Sequence, residues 1–316
     1  MRILFCGDAF PDEPDYLRRR LPPDANDELI VCPEWPVRPM LDGVDVVIPR
    51  MERVGRHEME VGRFRLVQQW GAGLEGVDLA AARENGVRVA NVPATGGNAE
   101  SVAEHALLLI LALLRDLPRA QANVRASILG APIGKVLAGR TVCLYGLGAI
   151  ALPLAKRLQT FGVRLIGVTR NPLSEKVSEF ALDHCFSVAD RDKAFAETDI
   201  LVLCMRYFTE MRGTIGMHEL SCLRLGAYLL NIARGGFLDE DNLYSTSKEG
   251  HLAGAGLDVF SQEPMPVGHP LLSLPNVIAT PHLAGVTEES FNDIADVVAA
   301  NIERLRHGQP LLNCVI

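Results

Sequence analysis

The sequence predicts an α/β protein built of two doubly wound parallel sheets in separate domains. Three observations support that expectation. Residues 141–170 read as strand, glycine turn, amphipathic helix and second strand, the repeating unit of a parallel sheet. Residues 1–97 alternate short apolar runs with polar or amphipathic connections. The same alternation resumes beyond residue 198 and continues to a terminal amphipathic helix.

Taken in order, candidate strands at 2–6, 28–32, 45–49, 65–70 and 87–92 make the first region a small α/β lobe, with a proline-rich loop around Pro33, Pro36 and Pro39. From 98 to 122 the pattern turns helical, with Asn98 or Ser101 as candidate cap. The run 106–114 is apolar all round, and such a helix must be buried. Burial against a second copy of the chain is the favoured expectation; burial within the chain is the other. In the helix after the glycine turn, Ile150, Leu154, Leu158 and Phe161 share a face. Strands at 199–204, 227–232, 254–259 and 277–279 would complete the second sheet. The last helix, 288–306, carries Ile294, Val297, Val298, Ile302 and Leu305 on its apolar face and is expected to return to the N-terminal lobe.

Composition narrows the function. With 316 residues, 48% of them hydrophobic and 22% charged, the chain has the makeup of a soluble globular protein of two domains. A net charge of −8 argues against a nucleic-acid backbone as main partner. The run 106–114 is too short to span a bilayer and is flanked by charge, so no membrane partner is expected. The seven cysteines are dispersed, with no C-x-x-C pair and no metal-ligand spacing. Reduced, buried thiols and an N-terminus without a long apolar core point to the cytoplasm.

The glycine turn carries the first chemical signal. Gly146-Leu147-Gly148-Ala149-Ile150-Ala151 reads G-x-G-x-x-A, between a strand and a helix, as a Rossmann-like dinucleotide site requires. Gly146 permits the tight turn, Gly148 lets a pyrophosphate approach, and Ala149 and Ile150 open the helix whose free N–H groups face the anion. At the end of the second strand, Val168-Thr169-Arg170-Asn171 lacks the acid that would hold the ribose hydroxyls of NAD. Thr169 and Arg170 suit a 2′-phosphate instead, so NADP(H) is favoured and NAD(H) is the other candidate. The expected domains are 1–97 plus 285–316, a discontinuous substrate domain, and 98–284, the dinucleotide-binding domain.

Three further segments end strands with reactive side chains: 231–236 with Arg234, 258–264 with Asp258 and Glu263, and 279–285 with His282. In an open α/β sheet the ligand crevice lies beyond the carboxyl ends of the strands. Reduction of a 2-oxo acid needs a cation for the carboxylate and carbonyl oxygens and a proton donor for the developing alkoxide. A carboxylate beside the imidazole orients it. Arg234, His282 and Glu263 supply those roles.

Together with Gly71-Ala72-Gly73, Val77-Asp78 and the segment 98–104, these motifs resemble the D-isomer-specific 2-hydroxyacid dehydrogenases over nearly the whole chain. The resemblance implies two flavodoxin-like or Rossmann-like domains with the active-site cleft between them, a hinge, and a homodimer formed through the cofactor domain. It implies His282 as general acid/base, Glu263 as its partner and Arg234 as the substrate-polarising cation. It also implies that the Ala72 and Gly73 amides hold the substrate carboxylate, with Asn98 close by. Asp258 would bind the nicotinamide carboxamide and Cys204 would border the cofactor. The implied reaction is reduction of a small 2-oxo acid of glyoxylate or hydroxypyruvate type. Glu263 stands where formate dehydrogenases of this superfamily carry glutamine. A short phosphoglycerate dehydrogenase and a nucleotide-sensing corepressor on the same fold are the alternatives. The chain departs from the family pattern at 205–213, where two prolines are absent and Arg206 is either a second phosphate-binding cation or solvent-facing. It also departs at Trp70, which either narrows the pocket or packs beneath it.

Overall fold

The structure is a computed structural model that describes residues 1–35 and 38–316; Pro36 of the proline-rich loop lies outside them. In chain order the elements are β1 (Arg2–Cys6), α1 (Glu13–Arg18), β2 (Glu28–Cys32), β3 (Val46–Ile48), α2 (Arg56–Gly62), β4 (Leu66–Gln68), α3 (Leu79–Glu84) and β5 (Arg88–Ala90). There follow α4 (Gly97–Leu114), α5 (Leu117–Arg125), β6 (Thr141–Tyr145), α6 (Ala151–Gln159), β7 (Arg164–Thr169), β8 (His184–Ser187), α7 (Arg191–Ala196), β9 (Ile200–Leu203) and α8 (Met217–Cys222). The last are β10 (Ala227–Asn231), α9 (Glu240–Lys248), β11 (Leu252–Leu257), β12 (Val277–Ala279) and α10 (Glu288–Arg306). The chain divides into two compact units, Met1–Asn98 with Thr287–Ile316, and Ala99–Val286.

The first unit holds a parallel sheet in the order β2-β1-β3-β4-β5. Its inner strands β1, β3 and β4 are buried on both faces, so successive side chains enter opposite cores, while edge strand β2 leaves Glu28 and Val31 exposed. In β1, Ile3 and Phe5 join one cluster, and Leu4 and Cys6 the other. The first of these clusters takes in α10 through Ile294, Ala295, Val298, Ala299, Ile302 and Leu305. Thr287 caps α10, its hydroxyl accepting from the Ser290 amide at 3.3 Å, a contact of about 1 kcal/mol. Trp70, 7% exposed, packs in the same core against Phe5 and edge-on to Phe291. It is a core residue, and of its two sequence readings this is packing beneath.

The second unit holds a parallel sheet in the order β12-β11-β10-β9-β6-β7-β8. The order reverses between β6 and β9, the position where a doubly wound sheet opens a crevice at its carboxyl edge. Alternation again divides the cores: Val142 and Leu144 of β6 face one side, Cys143 and Tyr145 the other. β8 escapes the sequence pattern because an edge strand reading His-Cys-Phe-Ser is neither apolar nor fully buried.

The structure corrects several expectations for these helices. The helix predicted over 98–122 is two helices: Asp116 is left-handed at φ 47, and Pro118 opens α5 because its ring cannot continue α4. Asn98 and Ser101 lie inside the first turns of α4 and do not cap it. Phe161 lies beyond α6 and is 36% exposed, so the apolar face is Leu154 and Leu158 with Ala151 and Ala155, and the half-buried Ile150 at the N-cap packs against the same core. The whole of α4, 18 residues with mean hydropathy 1.3, has the length and composition of a membrane span, which the shorter run 106–114 lacked. More than half of it (56%) is buried within the protein. Its buried face (Ala103, Ala106, Leu109, Ile110, Leu113) lies in the core of the second unit. Gly254 and Gly256 of β11 let it approach: a Cβ on Gly256 would stand 3.3 Å from Leu109 and Leu113. Burial of α4 therefore comes chiefly from this chain's own sheet, with Leu108 left 55% exposed.

Candidate functional site

The turn between β6 and α6 is shaped by its two glycines for different reasons. Gly146 has φ +100, and a Cβ there would lie 2.5 Å from the Met205 Cα; only glycine lets the segment after β9 come so close. A Cβ on Gly148 would meet nothing within 4 Å. The amides of Leu147, Gly148, Ala149 and Ile150 donate no hydrogen bond among the described residues, and they precede the N-terminus of a nine-residue helix. Consecutive free N–H groups at a helix start bind phosphate oxygens. The residues present therefore fit a dinucleotide pyrophosphate. Cys204 closes the turn from β9, its thiol donating to the Gly146 carbonyl at 3.1 Å. Burial pushes that thiol well up, so it is a neutral wall residue. At the end of β7, Thr169 is half-buried, and Arg170 is exposed with no ion pair among the described residues. Arg206, also exposed, sits 5.4 Å from the centre of the Phe208 ring. Tyr207 packs edge-on against Phe237 at 5.0 Å, anchoring the proline-free loop.

The ends of β10, β11 and β12 bring the second group together. His282 Nδ1 lies 2.7 Å from Glu263 Oε2, and Glu263 Oε1 accepts from the Phe260 amide at 2.8 Å. Burial alone would raise the Glu263 carboxyl. The hydrogen bond and charge of His282, the Phe260 N–H and the Arg234 charge outweigh it and hold the group below the usual carboxylate range. His282 itself is left-handed at φ 52, a strained backbone that non-glycine residues keep where the surroundings impose it. Here they do: the His282 amide donates to the Asp258 and Thr280 carbonyls at 2.8 and 3.0 Å.

Asp258, 1% exposed, is the keystone of that loop. Its Oδ1 accepts from the Thr280 hydroxyl at 2.6 Å and the Leu283 amide at 2.9 Å, and its Oδ2 from the Ala284 amide at 3.0 Å. Three of roughly four acceptor positions are therefore spent on holding the His282 loop. The sequence reading missed His105 of α4, whose Nε2 lies 3.0 Å from the Thr280 hydroxyl and 3.5 Å from Asp258 Oδ1. Burial lowers its pKa against the pull of Asp258.

Arg234 is placed by Asn231, whose amide donates to the Arg234 carbonyl at 2.9 Å while its oxygen accepts from the Ala233 amide at 3.1 Å. A Cβ on Gly235 would overlap the Phe260 carbonyl carbon at 1.8 Å, so the loops carrying Arg234 and Glu263 are in backbone contact. Glu240 of α9, also unforeseen, accepts from both the amide and the hydroxyl of Ser261 at 2.7 Å. No local pattern announces the His105 and Glu240 supports, since Thr280 and Ser261 lie 175 and 21 residues away from them along the chain.

The first unit holds the remaining candidates. Gly71 has φ +117, and Asn91 fixes the Ala72 carbonyl at 2.8 Å. The Ala72 and Gly73 amides donate no hydrogen bond among the described residues, so both can receive an anion. Asn98 is different. Its amide donates to the Ser290 hydroxyl at 3.0 Å, and it lines a cavity of about 290 Å³ with Val92, Pro93, Asp293 and Val297. That bond ties the first turn of α4 to α10.

Residues 107–284 match the family described as D-isomer specific 2-hydroxyacid dehydrogenase, NAD binding domain. The hydroxypyruvate reductase of Thermotoga maritima is 34% identical over 78% of this chain and 80% of its own length. The D-3-phosphoglycerate dehydrogenase of Archaeoglobus fulgidus is 30% identical over 85% of this chain but 51% of its own, so this chain spans half the length of such relatives. Among solved structures, the NADPH-dependent glyoxylate/hydroxypyruvate reductase of Sinorhizobium meliloti, in complex with citrate, matches with a TM-score of 0.84 and 29% identity, covering 99% of this chain and 97% of that one. The chain belongs to the D-isomer-specific 2-hydroxyacid dehydrogenase family.

Proposed function

We propose that this protein is a nicotinamide-dependent reductase of small 2-oxo acids, of glyoxylate or hydroxypyruvate type, that forms the D-2-hydroxy acid. The observation that carries the reading is the 2.7 Å contact of His282 with Glu263, in the same unit as a turn with four free amides. When bound at that turn, the nicotinamide cofactor supplies the hydride for the carbonyl carbon. Glu263 stays ionised and accepts from Nδ1, which leaves Nε2 of His282 to hand its proton to the developing alkoxide. Arg234 binds and polarises the 2-oxo acid. The Ala72 and Gly73 amides take the substrate carboxylate, and the remaining acceptor position on Asp258 Oδ2 takes the carboxamide. Thr169 and Arg170, which makes no ion pair among the described residues, with no acid next to them in sequence, support NADPH over NADH. The seven free cysteines suit a cytoplasmic setting.

A homodimer accompanies the reading, though its support shifts away from α4. Beyond α5, Ile128, Leu129, Ile133 and Val136 are exposed, Leu129 at 99%. An apolar segment of that kind marks an association surface. The phosphoglycerate dehydrogenase relative favours a second reading, a short form of that enzyme.

The test is NADPH and NADH oxidation with glyoxylate, hydroxypyruvate, pyruvate and phenylpyruvate, and NAD(P) reduction with 3-phosphoglycerate. Preferred NADPH turnover on one small oxo acid supports the reading. Turnover confined to 3-phosphoglycerate moves the assignment to the second. Tight nucleotide binding with no turnover on any of them rejects both and leaves a nucleotide sensor.

A further inference from the structure

Among the described residues, and outside the oxidoreductive ones, one cluster of metal-ligating side chains converges on a point. We propose that Asp192, His218 and Cys222 form a surface site for a divalent transition-metal ion of the zinc class. His218 and Cys222 stand four residues apart on α8, so both project from one face of the helix. Asp192 reaches the same point from the first turn of α7. His218 Nε2 lies 2.9 Å from Asp192 Oδ2 and 3.8 Å from Cys222 Sγ, and all three donor atoms are within 4.8 Å of one another. Around a tetrahedral ion with bonds of about 2.0 Å to N and O and about 2.3 Å to S, donor atoms sit roughly 3.3–3.6 Å apart. The exposed Asp192 and His218 side chains cover that difference toward the half-buried Cys222 by small rotations.

The same geometry excludes the other reading of a Cys–His–Asp set, an activated nucleophile. A proton relay uses opposite ring nitrogens, one toward the orienting acid and one toward the nucleophile. Here a single nitrogen, Nε2, faces both carboxylate and thiol, as in a shared coordination sphere. Binding an ion releases the Cys222 proton to solvent and leaves thiolate and carboxylate to balance the two positive charges. Arg191 does not occupy the site, since it is bound to Glu219 Oε1 at 2.6 Å and lies 3.8 Å from the other Asp192 oxygen, Oδ1. One nitrogen, one sulfur and one oxygen select zinc or cobalt over magnesium or calcium. The exposed side keeps a fourth position for water. A bound ion would clamp α7 to α8.

The experiment is titration of the metal-free full chain with Co(II), followed optically, with competition by Zn(II) and a Mg(II) control. Expected are one strong site with a thiolate-to-cobalt charge-transfer band, proton release, displacement by zinc, and a zinc-dependent rise in the thermal midpoint. Cys222→Ser should abolish the band, and His218→Ala or Asp192→Asn should weaken binding at least about tenfold. All three variants should retain the nucleotide binding of the parent. A band that survives Cys222→Ser, an equal response to magnesium, or no zinc response below about 1 mM in the folded parent would overturn the site.

Discussion

At the scale of the residue, the site is a set of groups whose neighbours decide their state. His282→Ala removes the only proton-bearing group assigned to the alkoxide. Its turnover should fall by about 10²–10⁴-fold with nucleotide affinity retained, checked by steady-state rates beside nucleotide titration. Loss of nucleotide binding would show that His282 sits in the cofactor site instead. Glu263 makes a pH prediction. Its folded value lies below the ordinary 4.5, so its stabilising contribution is complete above that value and is lost as pH falls through the lower folded one. Glu263→Gln should therefore flatten the decline of the thermal midpoint below about pH 4.5. A variant and parent with parallel profiles would mean that the carboxylate is not stabilised by its neighbours.

At the scale of the element, helices hold the strand ends in place. Leu109 of α4 is buried against β11, where Gly256 leaves room for it. Leu109→Ala should cost about 2–5 kcal/mol, read from chemical denaturation, because a fixed helix cannot collapse onto the cavity. Glu240 at the start of α9 tethers the segment from which Glu263 projects. Glu240→Ala should lower kcat about tenfold while leaving the nucleotide KM unchanged, since the loss is one of alignment; partial recovery with Glu240→Asp would separate tethering from fold damage. Equal loss in both constants would make Glu240 merely structural. The strands and α10 were legible in sequence because burial on both faces of a parallel strand leaves a continuous apolar run, and one-sided burial of a helix leaves a stripe. The break at Asp116–Leu117 was less legible, although Pro118 announced it. β8 was not, because edge strands carry little burial signal.

At the scale of the molecule, the exposed apolar segment beyond α5 predicts assembly. Replacing Leu129 and Ile133 by Asp together should convert a dimer to monomers in sedimentation without lowering the thermal midpoint of the isolated subunit, since Leu129 is 99% and Ile133 96% exposed. A dimer that persists would place the interface elsewhere.

What the sequence determined by itself is everything encoded over short distances: the parallel α/β class, the glycine turn with its free amides, and the strand-end positions of Arg234, Glu263 and His282. Burial imposes a period of two or 3.6 residues on a chain, and a tight turn demands glycine, so both leave local traces. Tertiary structure alone decided the pairings. Glu240 meets Ser261, His105 meets Thr280 and Asp258, Trp70 packs between Phe5 and Phe291, and Asp192 meets His218 and Cys222. Each depends on which strands lie side by side and which helix faces meet. Strand order in a doubly wound sheet does not follow chain order, so no periodicity along the chain records it.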